Sequence, residues 1–231
     1  MVKNVLLFPL LLLALSLSMV SCMNDDDDEV EIDEEWKALQ EKYFNEAVAG
    51  KDYYELSSQS GNGKLLWKYS SEIDPVAEES KLRIAVDGKP EFTDTVMIRY
   101  EGWYFEEDGE KVIFDSSENI SLKSRLRYIY ENSSFPSPYP NKTLRIKFAL
   151  NPNTASTIKG NFEVQGAFDG LSTVLQEMQI GEEREIVVPY QLAYGSYPYT
   201  YTVSSTQYIL VPAYTTIRYR VKLMKIIPME V

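Results

Sequence analysis

The chain of 231 residues contains no histidine and only one cysteine, Cys22. Without histidine, neither a Ser/His/Asp site nor a Cys/His site for nucleophilic catalysis can be assembled. Without a second cysteine, an internal disulfide, a Cys-x-x-Cys redox pair and a zinc site of the usual ligand types are excluded as well. We therefore expect a function that uses neither a metal nor another cofactor.

The N-terminal apolar run, Val5–Leu17, is too short to cross a bilayer comfortably. Lys3 precedes it and small residues follow it, which is the arrangement of a secretory signal peptide over residues 1–21. The segment Met19-Val20-Ser21-Cys22 resembles a bacterial lipobox, in which the cysteine is acylated, although methionine replaces the usual leucine. The alternative is an ordinary signal peptide beside a bystander cysteine.

Nine acidic residues lie within residues 25–35 and account for most of the net charge of −12. Their mutual repulsion favours a solvated tether, so residues 22–35 are predicted to be a lipidated cysteine and an acidic tether. Residues 36–231 carry 22 basic and 26 acidic residues, which argues against nucleic acid as a partner.

The acidic stretch also resembles the surface-export signal of lipoproteins from Bacteroidetes-like bacteria. This resemblance implies an outer membrane or cell-envelope protein that is lipid-anchored through Cys22 and exposed at the cell surface. A spacer with no signalling role is the alternative, and the sequence leaves the membrane face open.

The length and composition predict one compact domain with extensions. Residues 36–63 are predicted to form a helical extension, whose helix starts at Asp33 or Glu34 and stops at Gly50. Its apolar residues recur at helical spacing: Trp36, Leu39, Tyr43 and Ala47. Such a helix could pair two copies of the chain or pack on its own domain, so the oligomeric state stays open.

The rest of the chain is mostly of β character. Segments rich in β-branched and aromatic residues predict strands over 64–69, 95–100, 111–114, 184–188 and 216–223. Residues 167–180 instead show helical apolar spacing and end at Gly181. This order predicts an α+β domain in which one short helix covers a bent antiparallel sheet.

Four segments carry motifs in a recognisable order: Val96–Gly102 ending in Tyr-x-Gly, Phe114–Ser117 reading FDSS, Ala167–Glu182, and Val188–Gly195 reading VPYQLAYG and followed by Val211–Tyr219. Together they resemble the FKBP-type peptidyl-prolyl cis-trans isomerases, here in the form of a bacterial lipoprotein. The resemblance implies an FKBP-like domain over residues 64–231. It also implies catalysis of rotation about Xaa-Pro bonds in proline-containing polypeptides, in support of envelope protein folding.

Lack of histidine is no objection to this chemistry. Prolyl isomerisation lowers a rotation barrier of about 18–20 kcal/mol that arises from amide resonance, and no nucleophile is needed. A dry aromatic pocket suits the reaction, because the planar amide is more dipolar than the twisted transition state.

The resemblance also implies a set of site residues. The wall of the proline pocket would be formed by Tyr100, Phe114, Phe168, Leu210 or Val211, and Tyr219. Asp115 and the Tyr194 hydroxyl would supply polar contacts, and the backbone N–H of Phe168 would meet a peptide carbonyl. In the alternative interpretation the aromatic residues belong to an ordinary core and Asp115 caps a turn.

The chain departs from the family pattern in three places. Leu171 stands where the pocket floor is commonly tryptophan, which costs aromatic contact area. A further aromatic residue that precedes the helix is either Phe148 or Phe162. Residues from about 118 to 161 form an insertion, which is predicted to contain a hairpin or an extra sheet edge. The segment Tyr197–Tyr208 is also longer than the family pattern requires. These departures favour, as the alternative function, a weak or inactive FKBP-fold module that binds peptide, protein or glycan; a purely structural surface lipoprotein is the third interpretation.

Overall fold

The structure is a computed structural model that describes residues 32–73, 88–117, 146–152, 164–203 and 205–229. Asp33–Val231 form one unit, and the fold below belongs to it. The predicted signal peptide (1–21), the cysteine at position 22 and most of the acidic tether lie outside the described residues. Among those that are described, no helix is long and apolar enough to span a membrane.

Helix α1 (Glu34–Gly50) begins where a capping side chain is available. The Asp33 carboxylate accepts a hydrogen bond of 2.9 Å from the backbone N–H of Trp36, and two glutamates occupy the first turn, where the helix dipole favours negative charge. The helix ends at Lys51, which adopts the left-handed conformation with φ of 58°. The predicted start and stop of this helix are therefore those observed.

The helix packs on its own domain. The indole N–H of Trp36 donates hydrogen bonds of 3.1 Å to the carbonyl of Ala213 and to the hydroxyl of Thr215. One turn later, Gln40 donates to the carbonyl of Phe105 at 2.9 Å. Near the C-terminus of the helix, Ala47 packs in a small apolar cluster with strands of the sheet. The face predicted to be apolar thus packs within the same chain, with Trp36 and Ala47 buried and Leu39 and Tyr43 half-buried.

In the described parts of the chain ten strands follow: β1 (Tyr54–Ser57), β2 (Lys64–Tyr69), β3 (Thr95–Phe105), β4 (Lys111–Ser116), β5 (Ile146–Ala149), β6 (Val164–Gly166), β7 (Glu183–Val188), β8 (Tyr199–Val203), β9 (Thr206–Val211) and β10 (Ile217–Ile227). The main sheet has the order β1-β2-β7-β10-β3-β5-β6, with β4 also paired to β3, and β8–β9 is a separate hairpin. All pairs are antiparallel except β5–β6, so the sheet is mixed. The predicted α+β, FKBP-like fold is confirmed, with one parallel pair added.

Helix α2 (Asp169–Leu175) is much shorter than the helical pattern of residues 167–180 suggests. Turns continue from its end to Gly181, which has a φ of 88°. A helix of seven residues is not stable alone in water, so its stability comes from packing. All its residues from Gly170 to Leu175 are buried. Gly170 allows α2 to approach β7 closely, because a Cβ atom at this position would lie 2.5 Å from a methyl carbon of Val188.

The core lies between α2 and one face of the sheet. Alternate residues of β10 point into it, as expected for a strand with one buried face. Strand β5, near the end of the predicted insertion, is an integral part of the sheet and pairs with β3. Residues 118–145 and 153–161 of that insertion lie outside the described residues, and its predicted hairpin stays a prediction.

The docking of α1 predicts a large effect of truncating its first buried side chain. Replacing Trp36 with alanine removes two hydrogen bonds and an edge-to-face contact with Tyr104. We expect the free energy of unfolding to fall by about 3–5 kcal/mol, measured by urea denaturation. Val48→Ala, at an exposed position of the same helix, is the control and should change it by less than about 0.5 kcal/mol. Equal effects of the two substitutions would contradict the docking of α1.

Candidate active site

The central ring of the site belongs to Tyr219 on β10. Its ring stacks on Tyr100 of β3 at a centroid distance of 5.6 Å. It also meets Phe114 at 5.6 Å and Phe168 at 5.3 Å. Aromatic pairs at these distances and tilted geometries are each stabilising beyond their buried area. Four of the predicted wall residues therefore form one cluster of rings.

A glycine makes room for these rings. Gly102 lies opposite Tyr219 in the β3–β10 pairing. A Cβ atom at this position would lie 2.8 Å from the Cζ atoms of both Phe114 and Tyr219, a distance that real Cβ contacts do not show. The Tyr-x-Gly motif therefore has a steric cause, since any side chain at its last position would displace the rings.

A β-bulge directs two consecutive side chains of β4 inward. The register of β3 with β4 passes from Gly102↔Asp115 to Trp103↔Ile113, which leaves Phe114 as the extra residue. In a regular strand neighbouring side chains point to opposite faces, and a bulge relaxes this alternation. Phe114 and Asp115 are consequently both buried and both join the site.

Asp115 is held by two hydrogen bonds. One carboxylate oxygen accepts from the Tyr100 hydroxyl at 2.5 Å, and the other accepts from the backbone N–H of Ser116 at 2.8 Å. The second bond joins neighbouring residues of β4, whereas the first ties the carboxylate to the ring cluster. Asp115 therefore lies at the rings, and its role in the site stays a prediction.

Tyr194 enters the site from the segment after β7. A 3-10 turn (Tyr190–Leu192) and Gly195, with a φ of 72°, shape the backbone around it. Positive φ of this kind favours glycine, which accounts for the Tyr-Gly pair of the motif. The Tyr194 hydroxyl lies 3.4 Å from that of Tyr219, and its ring contacts Phe168 at 5.5 Å.

The remaining predicted residues lie deeper. Leu171 of α2 and the two residues at the end of β9, Leu210 and Val211, are fully buried in the same apolar cluster as the rings. Phe168 caps the N-terminal end of α2 with extended backbone, so its main chain stands at the edge of the site. Six of the nine predicted site residues are thus joined by direct contacts, and the other three, Leu171, Leu210 and Val211, lie in the same core.

Two further aromatic residues join this region. Phe148 on β5 is buried and meets Tyr100 edge-on at 5.8 Å, whereas Phe162 lies outside the described residues. Tyr199 on β8 stacks on Tyr194 at 4.4 Å with an angle of 4° between the rings. Sequence reasoning left Phe148 as one of two candidates and did not single out Tyr199. The spacing of two between Tyr199 and Tyr201 was a signal that a strand presents these two residues on one face.

Burial controls the protonation states of the site. Burial raises the pKa of Asp115 from 3.8 to about 6, against the opposing effect of its hydrogen bonds from Tyr100 and Ser116. Burial also raises the pKa values of Tyr194 and Tyr219 well above the ordinary 10.0. At neutral pH these hydroxyls remain protonated and can donate hydrogen bonds.

The raised pKa of Asp115 predicts a pH-dependent stability. Because the pKa lies above that of the unfolded chain, the stabilising contribution is present below about pH 4 and is lost as the pH rises through about 6. We expect the free energy of unfolding of the wild type, relative to Asp115→Asn, to fall by about 2 kcal/mol between pH 4 and pH 7. Denaturation of both proteins across this range measures it. A difference that does not change with pH would show that the carboxylate is not buried as described.

Comparison with known proteins agrees with the motifs. The family model of FKBP-type peptidyl-prolyl cis-trans isomerases matches residues 86–224, more than half of the chain. No curated protein sequence matches this chain.

Among solved structures, the chain is similar to a peptidyl-prolyl cis-trans isomerase from Pseudomonas syringae pv. tomato, with 16% identity, a TM-score of 0.47 and coverage of 84% of this chain and 95% of the other. It is also similar to FkpA from Escherichia coli, with 19% identity, a TM-score of 0.47 and coverage of 84% and 61%. On the extent of the family match, the chain belongs to the FKBP-type peptidyl-prolyl cis-trans isomerases.

Proposed function

We propose that the ring cluster around Tyr219 binds the proline of an Xaa-Pro segment, and that the enzyme assists the folding of proteins of the cell envelope. The observation that carries the site assignment is the meeting of Tyr100, Phe114 and Phe168 on the Tyr219 ring. A few polar groups join this cluster: the Asp115 carboxylate accepts from the Tyr100 hydroxyl, and the Tyr194 hydroxyl lies 3.4 Å from that of Tyr219. Apolar walls with a few placed polar groups are typical of ligand sites.

The site would catalyse rotation by removing water and by holding the twisted amide. In the planar ground state the Xaa-Pro amide is more dipolar than in the twisted state, so an apolar environment disfavours the ground state. The Tyr194 hydroxyl, kept protonated by burial, donates to a carbonyl of the bound peptide. The backbone N–H of Phe168, at the N-terminal end of α2, serves as the second donor.

Asp115 acts through Tyr100. Its carboxylate accepts the Tyr100 hydroxyl proton in a hydrogen bond of 2.5 Å and so fixes that ring against Tyr219. Loss of the carboxylate would leave a buried hydroxyl without this acceptor, which is a costly arrangement. We therefore assign Asp115 to the shape of the pocket as well as to its polarity.

At the floor of the pocket, Leu171 offers less contact area to a bound proline than an aromatic residue would. It is fully buried in the core, so it closes the cluster without offering a ring. We expect a lower affinity for proline than a tryptophan floor would give, with rotation still catalysed.

Isomerase activity tests the proposal directly. We expect residues 23–231 to accelerate cis-trans exchange of Xaa-Pro peptides in a protease-free assay. Tyr194→Phe and Asp115→Ala should each lower kcat/KM about tenfold, since each removes one hydrogen-bonding group of the site. Tyr69→Phe, which changes an exposed tyrosine on β2, is the matched control and should retain full activity.

The absence of acceleration by a well-folded protein would contradict catalysis and favour the second candidate, a binding module. The observation behind that candidate is the β8–β9 hairpin, whose strand β9 exposes Tyr208 and Ile209 to solvent. In that case peptide binding should depend on these two side chains and not on Tyr194.

We further propose that residues 1–21 are a lipoprotein signal peptide and that acylated Cys22, followed by the acidic tether, holds the enzyme at the outer membrane or cell envelope. Sequence pattern alone supports this. In the full chain, expressed in a bacterium, Cys22→Ser should move the protein from the membrane fraction to the soluble fraction and abolish fatty-acid labelling. Ser21→Ala is the control. Membrane association of the wild type without any label would contradict the lipid anchor.

A further inference from the structure

The ring of Tyr199 lies almost parallel to that of Tyr194. The two centroids are 4.4 Å apart and the planes differ by 4°. Other ring pairs of the site that involve Tyr194 are wider and inclined, at 5.5 Å from Phe168 and 6.2 Å from Phe114. At 4.4 Å the two parallel rings form an offset stack on one face of the Tyr194 ring, and no other ring contact given for Tyr194 in the described part of the chain is parallel.

The stack contributes to the orientation of the Tyr194 ring. Its ring is only partly buried, although its hydroxyl reaches inward to within 3.4 Å of the Tyr219 hydroxyl. Phe168 and Phe114 hold the ring from the pocket side. Tyr199 stacks on this ring from the β8–β9 hairpin, so Tyr194 has ring contacts both with the cluster around Tyr219 and with the hairpin.

The element that carries Tyr199 is anchored in the core. Tyr199 is the first residue of β8 and pairs with Val211, the last residue of β9. Val211 and its neighbour Leu210 are fully buried, so the base of the hairpin is fixed beside the site while its turn lies at the far end. A residue on such a base can hold a neighbouring ring in one orientation.

We propose that Tyr199 is a positioning residue for prolyl isomerisation: it holds the Tyr194 ring in the orientation that presents the Tyr194 hydroxyl to the carbonyl of the bound peptide. This inference rests on the proposed function of Tyr194. The stacking ring is what matters, and the Tyr199 hydroxyl is not required.

The experiment compares Tyr199→Ala and Tyr199→Phe in the wild type and in a Tyr194→Phe background, using kcat and KM for one Xaa-Pro peptide. Tyr199→Ala should lower kcat about tenfold with little change in KM, because a misplaced donor fails mainly in the transition state. Tyr199→Phe, which keeps the ring, should retain wild-type activity. In the Tyr194→Phe background Tyr199→Ala should change kcat less than about twofold, since the hydroxyl it positions is already absent.

Tyr197→Ala is the matched control, because Tyr197 is an exposed tyrosine two residues away. It should leave both kinetic constants unchanged. Where the alanine variant does not fold, Tyr199→Leu keeps an apolar contact without a parallel ring and should show the same loss of kcat.

The outcomes separate this inference from the function on which it rests. A folded wild type that gives no acceleration overturns both. An active wild type with full activity in Tyr199→Ala overturns the positioning role alone. An equal loss of kcat in the two backgrounds would also overturn it, because Tyr199 would then act independently of the Tyr194 hydroxyl.

Discussion

The packing of Tyr219 against the bare backbone of Gly102 is the contact on which the site depends. Two rings occupy the space that a side chain at Gly102 would take. Through Tyr219 the contact joins β10 to β3, to the bulged strand β4 and to the start of α2. The middle of the sheet and the walls of the proposed pocket are therefore built from the same residues. A substitution that destabilises the sheet here also changes the shape of the pocket.

Buried polar groups set a second constraint. Asp115 is drawn into an apolar environment that favours its protonated form, and two hydrogen bonds only partly compensate. At neutral pH the charged carboxylate opposes folding, as expected where a site is built for chemistry and not for stability. The bulge at Phe114 is the structural cause, because it brings Asp115 inward together with its neighbour.

The two extensions of the domain have different relations to the site. Helix α1 packs on the domain through Trp36 and Gln40 and reaches none of the proposed site residues in the contacts described. The β8–β9 hairpin reaches the site directly through Tyr199. Variation in the hairpin can therefore alter catalysis, whereas α1 adds to stability. The membrane anchor and the envelope role remain proposals from sequence.

Local pattern by itself determined the family motifs, the presence of β2, β3, β4, β7 and β10, the bounds of α1 and the α+β class, because caps, strand alternation and motif spacing act over a few residues. The nine site residues were chosen by the resemblance, and the structure joins six of them by direct contacts and buries the other three in the same core. Only the tertiary structure placed Phe148 against Tyr100, packed α1 on its own domain, shortened α2 and set Tyr199 on Tyr194. These features, like the pKa of Asp115, depend on burial and on strand register between residues far apart in the chain. A pattern of neighbouring residues determines neither burial nor register.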